Sequence, residues 1–349
     1  MPFVNGYSTA EAQLLITLSG FAYMSSTPLP DESVDEQEAR MRRDIDAALA
    51  DSSYPTWHVV WGPGLSGNRA NMLYVAGDSR TDQLAVAIRG TDWSFWLNWI
   101  EDFGSLLPLV AYTDVLPSIA AGNPEIAAGT NMGLQLLLRT QASTLDGQDV
   151  NVATFLAQAG PRAEIFVTGH SLGGCLASVL APSLAYCLGT AEHFKVYTFA
   201  APTAGNLDFA RYYDRLFTTP TGRSSAYRVY NDLDIIPISW ASLPTIATLY
   251  TPAPVCSERV KNVVARAQAI VGSTYQQVGT VNNGSAVELH GQIIAEIDVP
   301  LTPDRGSLLF FKEVGEQHAT EMYMQLLEAP IISAALAELS AVRAALIAR

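Results

Sequence analysis

The sequence predicts an α/β fold in which a mostly parallel central sheet lies between layers of helices. Between residues 83 and 230, short β-branched runs alternate with segments of helical periodicity, which is typical of a parallel sheet. Hydrophobic residues make up 49% of the 349 residues and charged residues only 15%, enough apolar material for one large core. Because there is no internal repeat and no linker, residues 1–349 are expected to form a single domain.

Residues 1–55 are predicted to form a helical N-terminal region. Ser8 and Glu11 have the spacing of a capping box, and the leucines that follow recur at helical spacing. A charge-rich second helix is expected over residues 31–50. Three strands are then expected over residues 57–61, 72–76 and 83–88.

The remaining residues continue the alternation of strands and helices. Helices are predicted over residues 125–140, 150–159, 172–188, 207–217 and 258–271, and strands over 164–168, 195–199 and 226–230. Asn283-Gly284 is a turn pair suited to a hairpin, and residues 330–349 are expected to form a C-terminal helix. Residues 165–191 carry no charge, but their glycines and Pro182 favour a buried strand and helix over a transmembrane segment.

The charge balance limits the partners that this chain could have. A formal net charge of −14 and a pI near 4.7 argue against nucleic acid, because an acidic surface repels phosphate. The three cysteines are an odd number with no metal-binding spacing, so no disulfide framework is expected. No signal peptide is evident at the start of the sequence. These features favour a cytoplasmic location, with leaderless secretion as the alternative.

Residues 169–173 read Gly-His-Ser-Leu-Gly, which makes Ser171 a candidate nucleophile. A serine hydroxyl needs a base, a group that orients the base, and donors for the developing oxyanion. In this motif the serine lies at a strained strand-to-helix corner, where residues two before and two after it must lack side chains. Gly169 and Gly173 meet that requirement, and His170 is the remaining residue of the predicted nucleophile elbow.

Four segments, which follow one another in the same order as in the family, resemble the class 3 (fungal-type) lipases of the α/β-hydrolase superfamily. Residues 169–174 match the elbow of that family, and residues 199–206 resemble its Phe-Gly-x-Pro-x-x-Gly-Asn segment, with Ala200 where glycine is usual. Residues 88–91 resemble the end of its oxyanion strand, and residues 231–237 resemble its acid loop. The resemblance implies an α/β-hydrolase fold with a lid helix and the hydrolysis of carboxylic esters by a serine.

Two acids and two histidines compete for the remaining catalytic roles. In the family the acid directly precedes an aliphatic pair and a proline, which favours Asp234, whereas Asp232 is typical of a turn residue. The chain order Ser, Asp, His leaves His290 and His318 as the possible base. His318 follows a predicted strand and opens a helix, and it also resembles the family's histidine, so it is preferred over His290.

The expected oxyanion donors are the backbone N–H groups of Leu172 and Thr91. A tryptophan-rich segment, residues 92–104, follows Thr91, and the family has its lid beside this position. Ordinary core packing of an aromatic helix is the alternative explanation. The side chains expected to contact acyl chains are Trp93, Trp96, Trp99 and Phe103.

These residues predict a serine carboxylic-ester hydrolase with no metal or organic cofactor, and the family resemblance, with the tryptophans, implies a triacylglycerol lipase. The expected substrate is a lipid or ester, encountered at a lipid–water interface. The alternatives with the same triad are a phospholipase A1, a short-chain esterase and an acyltransferase. An alternative of another class is a non-catalytic binding protein with a hydrolase fold.

Overall fold

The computed structural model describes residues 6–90, 107–160, 163–251, 253–280, 285–294 and 303–330. Within these ranges it confirms the α/β-hydrolase fold, with a mostly parallel sheet flanked by helices. Thr91, the predicted lid at residues 92–104 and residues 331–349 of the predicted C-terminal helix lie outside the described residues. The single-domain organisation stays a prediction.

The described elements are numbered here along the chain. The strands are β1 (Trp57–Leu65), β2 (Met72–Asp78), β3 (Gln83–Ile88), β4 (Leu109–Ala111), β5 (Glu125–Ala127), β6 (Gln141–Ser143), β7 (Asp149–Asn151), β8 (Glu164–His170), β9 (Phe194–Phe199), β10 (Gly205–Asn206), β11 (Ala226–Asn231), β12 (Tyr275–Gln276) and β13 (Ala286–Leu289). The helices are α1 (Thr9–Phe21), α2 (Val34–Ala50), α3 (Ala128–Arg139), α4 (Val152–Gln158), α5 (Leu172–Leu188), α6 (Leu207–Leu216), α7 (Glu258–Val271), α8 (Pro303–His318) and α9 (Thr320–Leu326). A short 3₁₀ helix spans Leu243–Ala247.

The central sheet has the strand order β1-β2-β3-β8-β9-β11-β13. The β1–β2 and β2–β3 pairs are antiparallel, whereas every pair from β3 to β13 is parallel. Parallel neighbours run in the same direction, so β8, β9 and β11 end at one edge of the sheet. Ser171 follows β8 and Asp234 follows β11, and the topology therefore brings both to the same edge.

Side chains of the central strands alternate between two apolar clusters, one on each face of the sheet. In β3, Val86 and Ile88 belong to one cluster, and Ala85 and Ala87 belong to the other. Helices α3, α4, α5 and α6 cover the first face, and α1, α2 and α9 cover the second. A third cluster forms beside the acid loop from residues 235–275 and α8.

The prediction of a hairpin at Asn283-Gly284 is wrong. The flanking strands lie in different sheets, because β12 pairs antiparallel with β10 and β13 pairs parallel with β11. Turn chemistry predicts a bend but does not choose the partner of a strand, which the surrounding sheet decides. Asn283 and Gly284 themselves lie outside the described residues.

Three further expectations need correction. His318 is the last residue of a helix, α8, and does not follow a strand. Phe310 and Val314 lie one turn apart on this helix, and both pack into the third cluster. The helix expected from residue 125 begins at Ala128, after the short strand β5. Ser8 accepts a hydrogen bond from Glu11 N, but the Glu11 carboxylate binds Lys195 and Tyr197, so only half of a capping box forms.

The uncharged stretch at residues 165–191 forms most of β8, all of α5 and the start of the next loop, as expected. In the part of the chain that the structure describes, no helix has both the length and the hydrophobicity that a membrane span requires. Cys175 and Cys256 are buried free thiols, and Cys187 is an exposed one.

Candidate active site

Ser171 lies at the sharp corner between β8 and α5. Its backbone has φ 60° and ψ −131°, in the left-handed region that a residue other than glycine rarely occupies. The amide of Ser171 donates to the carbonyl oxygen of Phe199 in the neighbouring strand, at 2.9 Å. This contact holds the corner against the sheet while the serine side chain stays half-buried.

The two glycines of the elbow allow the strand and the helix to approach closely. A Cβ atom on Gly169 would lie 2.3 Å from the backbone of Gly173. A Cβ atom on Gly173 would lie 2.2 Å from the carbonyl oxygen of Ile88, at the end of β3. Since neither position can hold a side chain without moving backbone, the glycine spacing has the steric cause that the motif requires.

His318 contacts Ser171 with one ring nitrogen and Asp234 with the other. Its Nε2 lies 2.8 Å from Ser171 Oγ, and its Nδ1 lies 2.8 Å from Asp234 Oδ2. A carboxylate only accepts, so Nδ1 carries the proton and Nε2 is free to accept from the serine hydroxyl. The three residues form the hydrogen-bonded chain that activates a serine nucleophile.

The carboxylate of Asp234 is buried and receives two further hydrogen bonds. Oδ1 accepts from Ile236 N at 2.9 Å, and Oδ2 accepts from the hydroxyl of Tyr323 at 2.9 Å. Burial, and then the charge of Asp234, hold the pKa of Tyr323 well above its usual range, so this hydroxyl remains a donor. Both bonds fix the carboxylate opposite His318.

A buried polar network supports the residues around His318. The backbone N–H of Asn231 donates to the Tyr323 hydroxyl at 3.0 Å, and the side-chain amide of Asn231 donates to Gln317 Oε1 at 2.7 Å. Gln317 in turn donates to Glu313 one helical turn earlier, at 2.7 Å. These residues escaped sequence reasoning because Asn and Gln in a strand or helix carry no spacing signal.

The alternative acid, Asp232, and the alternative base, His290, form a separate pair with each other. His290 Nδ1 lies 3.0 Å from Asp232 Oδ2 and 3.8 Å from Glu288 Oε1. The hydrogen bond that His290 donates to Asp232, and then the negative charges of Asp232 and Glu288, raise the pKa of the exposed His290. In the described ranges, this trio is the one group whose ligand atoms lie close enough to hold a metal ion, but the ion pairs account for the arrangement.

Of the two expected oxyanion donors, the structure describes Leu172, which directly follows Ser171. Leu172 is the first residue of α5, where backbone N–H groups have no partner within the helix. Gly90 adjoins the elbow, since a Cβ atom there would lie 3.1 Å from Ser171 Cβ. Thr91 follows Gly90 in the chain but lies outside the described residues, as do Trp93, Trp96, Trp99 and Phe103.

Comparisons with known proteins point to one family. Residues 85–243 match the sequence profile of the family described as "Lipase (class 3)". The crystal structure of M37 lipase superposes with a TM-score of 0.73 at 25% identity, over 93% of this chain and 94% of that one. Lip2 lipase from Yarrowia lipolytica has a TM-score of 0.52 at 17% identity, which supports the fold alone.

Two curated relatives match shorter parts. "Lipase ZK262.3" of Caenorhabditis elegans is 28% identical over 233 residues, which cover 66% of this chain and 55% of that protein. "Secreted mono- and diacylglycerol lipase 1" of Fusarium solani is 30% identical over 167 residues, which cover 47% of this chain and 41% of that protein. The matches thus span about half the length of these relatives.

Proposed function

We propose that this chain is a class 3 lipase of the α/β-hydrolase superfamily and that it hydrolyses lipid esters through an acyl-enzyme on Ser171. The observation that carries the proposal is the pair of 2.8 Å contacts that link Ser171, His318 and Asp234. The other polar groups of the site support it, because they hold the carboxylate in the orientation that the base requires.

In the first half of the reaction, Ser171 Oγ attacks the ester carbonyl carbon. The hydroxyl proton moves to His318 Nε2, the new Oγ–C bond forms, and the carbonyl oxygen becomes an oxyanion. Asp234 stabilises the imidazolium through Nδ1. When the tetrahedral intermediate collapses, the C–O bond to the alcohol breaks, and the leaving alcohol takes the proton from Nε2.

In the second half, water replaces the alcohol. His318 Nε2 accepts a proton from water as the water oxygen attacks the acyl carbon. Nε2 then gives this proton to Ser171 Oγ as the Oγ–C bond breaks and the fatty acid leaves. The backbone N–H groups of Leu172 and Thr91 are the proposed oxyanion donors in both halves, with the positive end of α5 adding to the stabilisation.

The proposed substrate is a triacylglycerol met at a lipid–water interface, with residues 92–104 as a lid that covers the site in water. Three tryptophans within seven residues favour contact with acyl chains. The rate on an ester of limited solubility should rise abruptly once its concentration exceeds the solubility limit. A rate that saturates smoothly through that limit would exclude the lid but not the triad.

The proposal is tested with a short-chain p-nitrophenyl ester on three proteins. Ser171→Ala should lower kcat by about 10⁴-fold or more, because the nucleophile is lost. Ser178→Ala is a matched control: this serine lies on the same helix, and its hydroxyl donates to the carbonyl oxygen of Cys175. It should keep the kcat of the parent protein.

Absence of turnover by the parent protein on every ester would refute the enzymatic proposal and favour a non-catalytic binding protein. A panel of triacylglycerols, phospholipids and short esters then discriminates among the substrate classes. A preference for phospholipids would indicate a phospholipase A1, and transfer of the acyl group to an added alcohol in preference to water would indicate an acyltransferase.

A further inference from the structure

We propose that His170, the residue before the nucleophile, is a positioning residue that holds the catalytic base through the main chain of His318. This inference rests on the proposed function, because it assigns a role within the same site. The ring nitrogens of His170 contact Tyr23 and the carbonyl oxygen of His318, and its ring packs against the ring of His318, so its role is indirect.

The contact between the two histidines is short and buried. His170 Nε2 lies 2.9 Å from the carbonyl oxygen of His318, and the two rings pack with their centroids 4.8 Å apart. The ring of Tyr323, which also binds Asp234, meets His170 edge-on at 5.6 Å. Only 4% of His170 is exposed, so water cannot replace a lost contact without opening the site.

The carbonyl group of His318 needs this partner because of its position in the chain. His318 ends α8, Ala319 is the N-cap of α9, and the last carbonyl groups of a helix have no partner within it. The side chain of His170 therefore satisfies an acceptor at the break between two helices. Because the break carries the catalytic base, a change in its geometry moves the imidazole directly.

The partners of His170 define its tautomer. A carbonyl oxygen only accepts, so Nε2 must carry a proton. The hydroxyl of Tyr23 lies 3.2 Å from Nδ1, and it can donate to Nδ1 only when that nitrogen is unprotonated. Tyr23 also lies 3.3 Å from the carbonyl oxygen of His170, so the region that follows α1 holds both the ring and the backbone of the elbow.

A neutral His170 suits the charge that develops beside it. His318 becomes positively charged when it takes the serine proton, and a second cation at ring contact would oppose that step. Burial, and secondly the proximity of His318, hold the pKa of His170 well below its ordinary value, although the hydrogen bond to the carbonyl oxygen acts in the opposite direction. Among the described residues, the titratable groups Tyr23, His318 and Tyr323 contact the ring.

The test replaces His170 with two amide side chains of different length. In His170→Gln the side-chain nitrogen can occupy the place of Nε2 and still donate to the carbonyl oxygen of His318. In His170→Asn the amide is one carbon shorter and reaches only the place of Nδ1. The Asn variant should lower kcat by about 10- to 100-fold with KM within about twofold, as expected for a displaced base, and the Gln variant should recover most of the loss.

Thr168→Val serves as a control for the loss of a buried hydrogen bond on the same strand. Thr168 lies two residues before His170, and its hydroxyl bonds to Ser19 of α1 at 3.0 Å. This variant should lower thermal stability but keep the kcat of the parent protein. If the Asn and Gln variants show the same kcat, or if Thr168→Val loses as much as His170→Asn, the positioning role is refuted.

A second readout separates this inference from the proposed function. The low-field NMR resonance of the His318 Nδ1 proton reports the bond to Asp234 without any substrate. It should persist in His170→Gln and broaden or shift in His170→Asn. A parent protein without esterase turnover refutes the proposed function, whereas an unchanged resonance in both variants refutes the role of His170.

Discussion

At the scale of single residues, two aspartates two positions apart have opposite environments. Asp234 is buried and its oxygens accept from His318, Tyr323 and Ile236 N. Asp232 is only half-buried, and it pairs with the exposed His290. Only the first arrangement can hold an imidazole in a fixed orientation, since an exposed pair is mobile and screened by water.

The two aspartates can be compared by the same substitution. Asp234→Asn should lower kcat on a short ester by about 10³- to 10⁴-fold, because an amide no longer stabilises the imidazolium and favours the wrong tautomer of His318. Asp232→Asn should change kcat by less than about threefold, because it loses only an exposed ion pair. Steady-state kinetics of both variants, with their thermal stabilities, test this difference. Equal losses would mean that the acid is wrongly assigned.

Motif spacing, chain order and the resemblance to class 3 lipases together selected Ser171, Asp234 and His318 as candidates, and the three lie in contact. Tyr323, Asn231 and Gln317 had no such signal as parts of the site. Their roles depend on which side chains α8, α9 and β11 present to one another, which spacing along a single segment does not report.

At the scale of elements, the nucleophile depends on the close approach of β3, β8 and α5. The carbonyl oxygen of Ile88 and the amide of Gly90 would lie 2.2 Å and 2.9 Å from a Cβ atom on Gly173. Both are backbone atoms, so they cannot turn aside as the end of a flexible side chain can. The elbow is therefore a joint of three elements and not only a local turn.

Gly173→Ala should lower the free energy of unfolding by about 3 kcal/mol, because the new methyl group forces backbone of β3 away from α5. Gly67→Ala is the matched control: no atom lies within 4 Å of a Cβ atom at this exposed position. It should change the free energy of unfolding by no more than about 0.5 kcal/mol. Urea denaturation measures both, and similar values for the two variants would contradict the steric argument.

Elements with strong local signals were predicted well, among them β3, α5 and α7, whose bounds match the expected ones. Two errors share one cause. The segment before His318 and the strands around residues 283–284 contain short apolar runs that fit either a strand or a helix. Their final form depends on the cluster or sheet against which they pack.

At the scale of the whole molecule, the sheet brings together residues that are distant in the chain. His318 lies 84 residues from Asp234 and 147 residues from Ser171 in sequence. The N-terminal helix α1 is tied to the sheet by an ion pair between the half-buried Glu11 and the buried Lys195 of β9, at 2.5 Å. The candidate site therefore requires global folding, because its three residues come from segments far apart in the chain.

A partly buried carboxyl group, that of Glu38, makes global stability depend on pH. Burial raises the pKa of Glu38 to about 7, with the charges of Asp35 and Asp149 adding to the rise and the Leu65 N–H opposing it. The folded state thus binds a proton that the unfolded state releases at lower pH. The stability that protonated Glu38 contributes is present below pH 4.5 and is lost as the pH rises through about 7.

Removing this group should flatten the pH profile. In Glu38→Gln the side chain cannot ionise, so the free energy of unfolding should fall less between pH 4.5 and pH 8 than in the parent protein. Urea denaturation of both proteins at several pH values in this range measures the difference. Parallel profiles would indicate that Glu38 titrates alike in the folded and unfolded chains.

The sequence by itself determined the α/β alternation, the glycine-flanked serine and the order of the acid and base candidates, because each depends on local periodicity, steric need or chain order. The tertiary structure decided what those signals left open. It placed His318, and not His290, in contact with both Ser171 and Asp234, formed the helix α8 where a strand was expected, and brought the ring of His170 to the carbonyl oxygen of His318. Contacts between segments far apart in the chain depend on packing, and packing has no signature within any one segment.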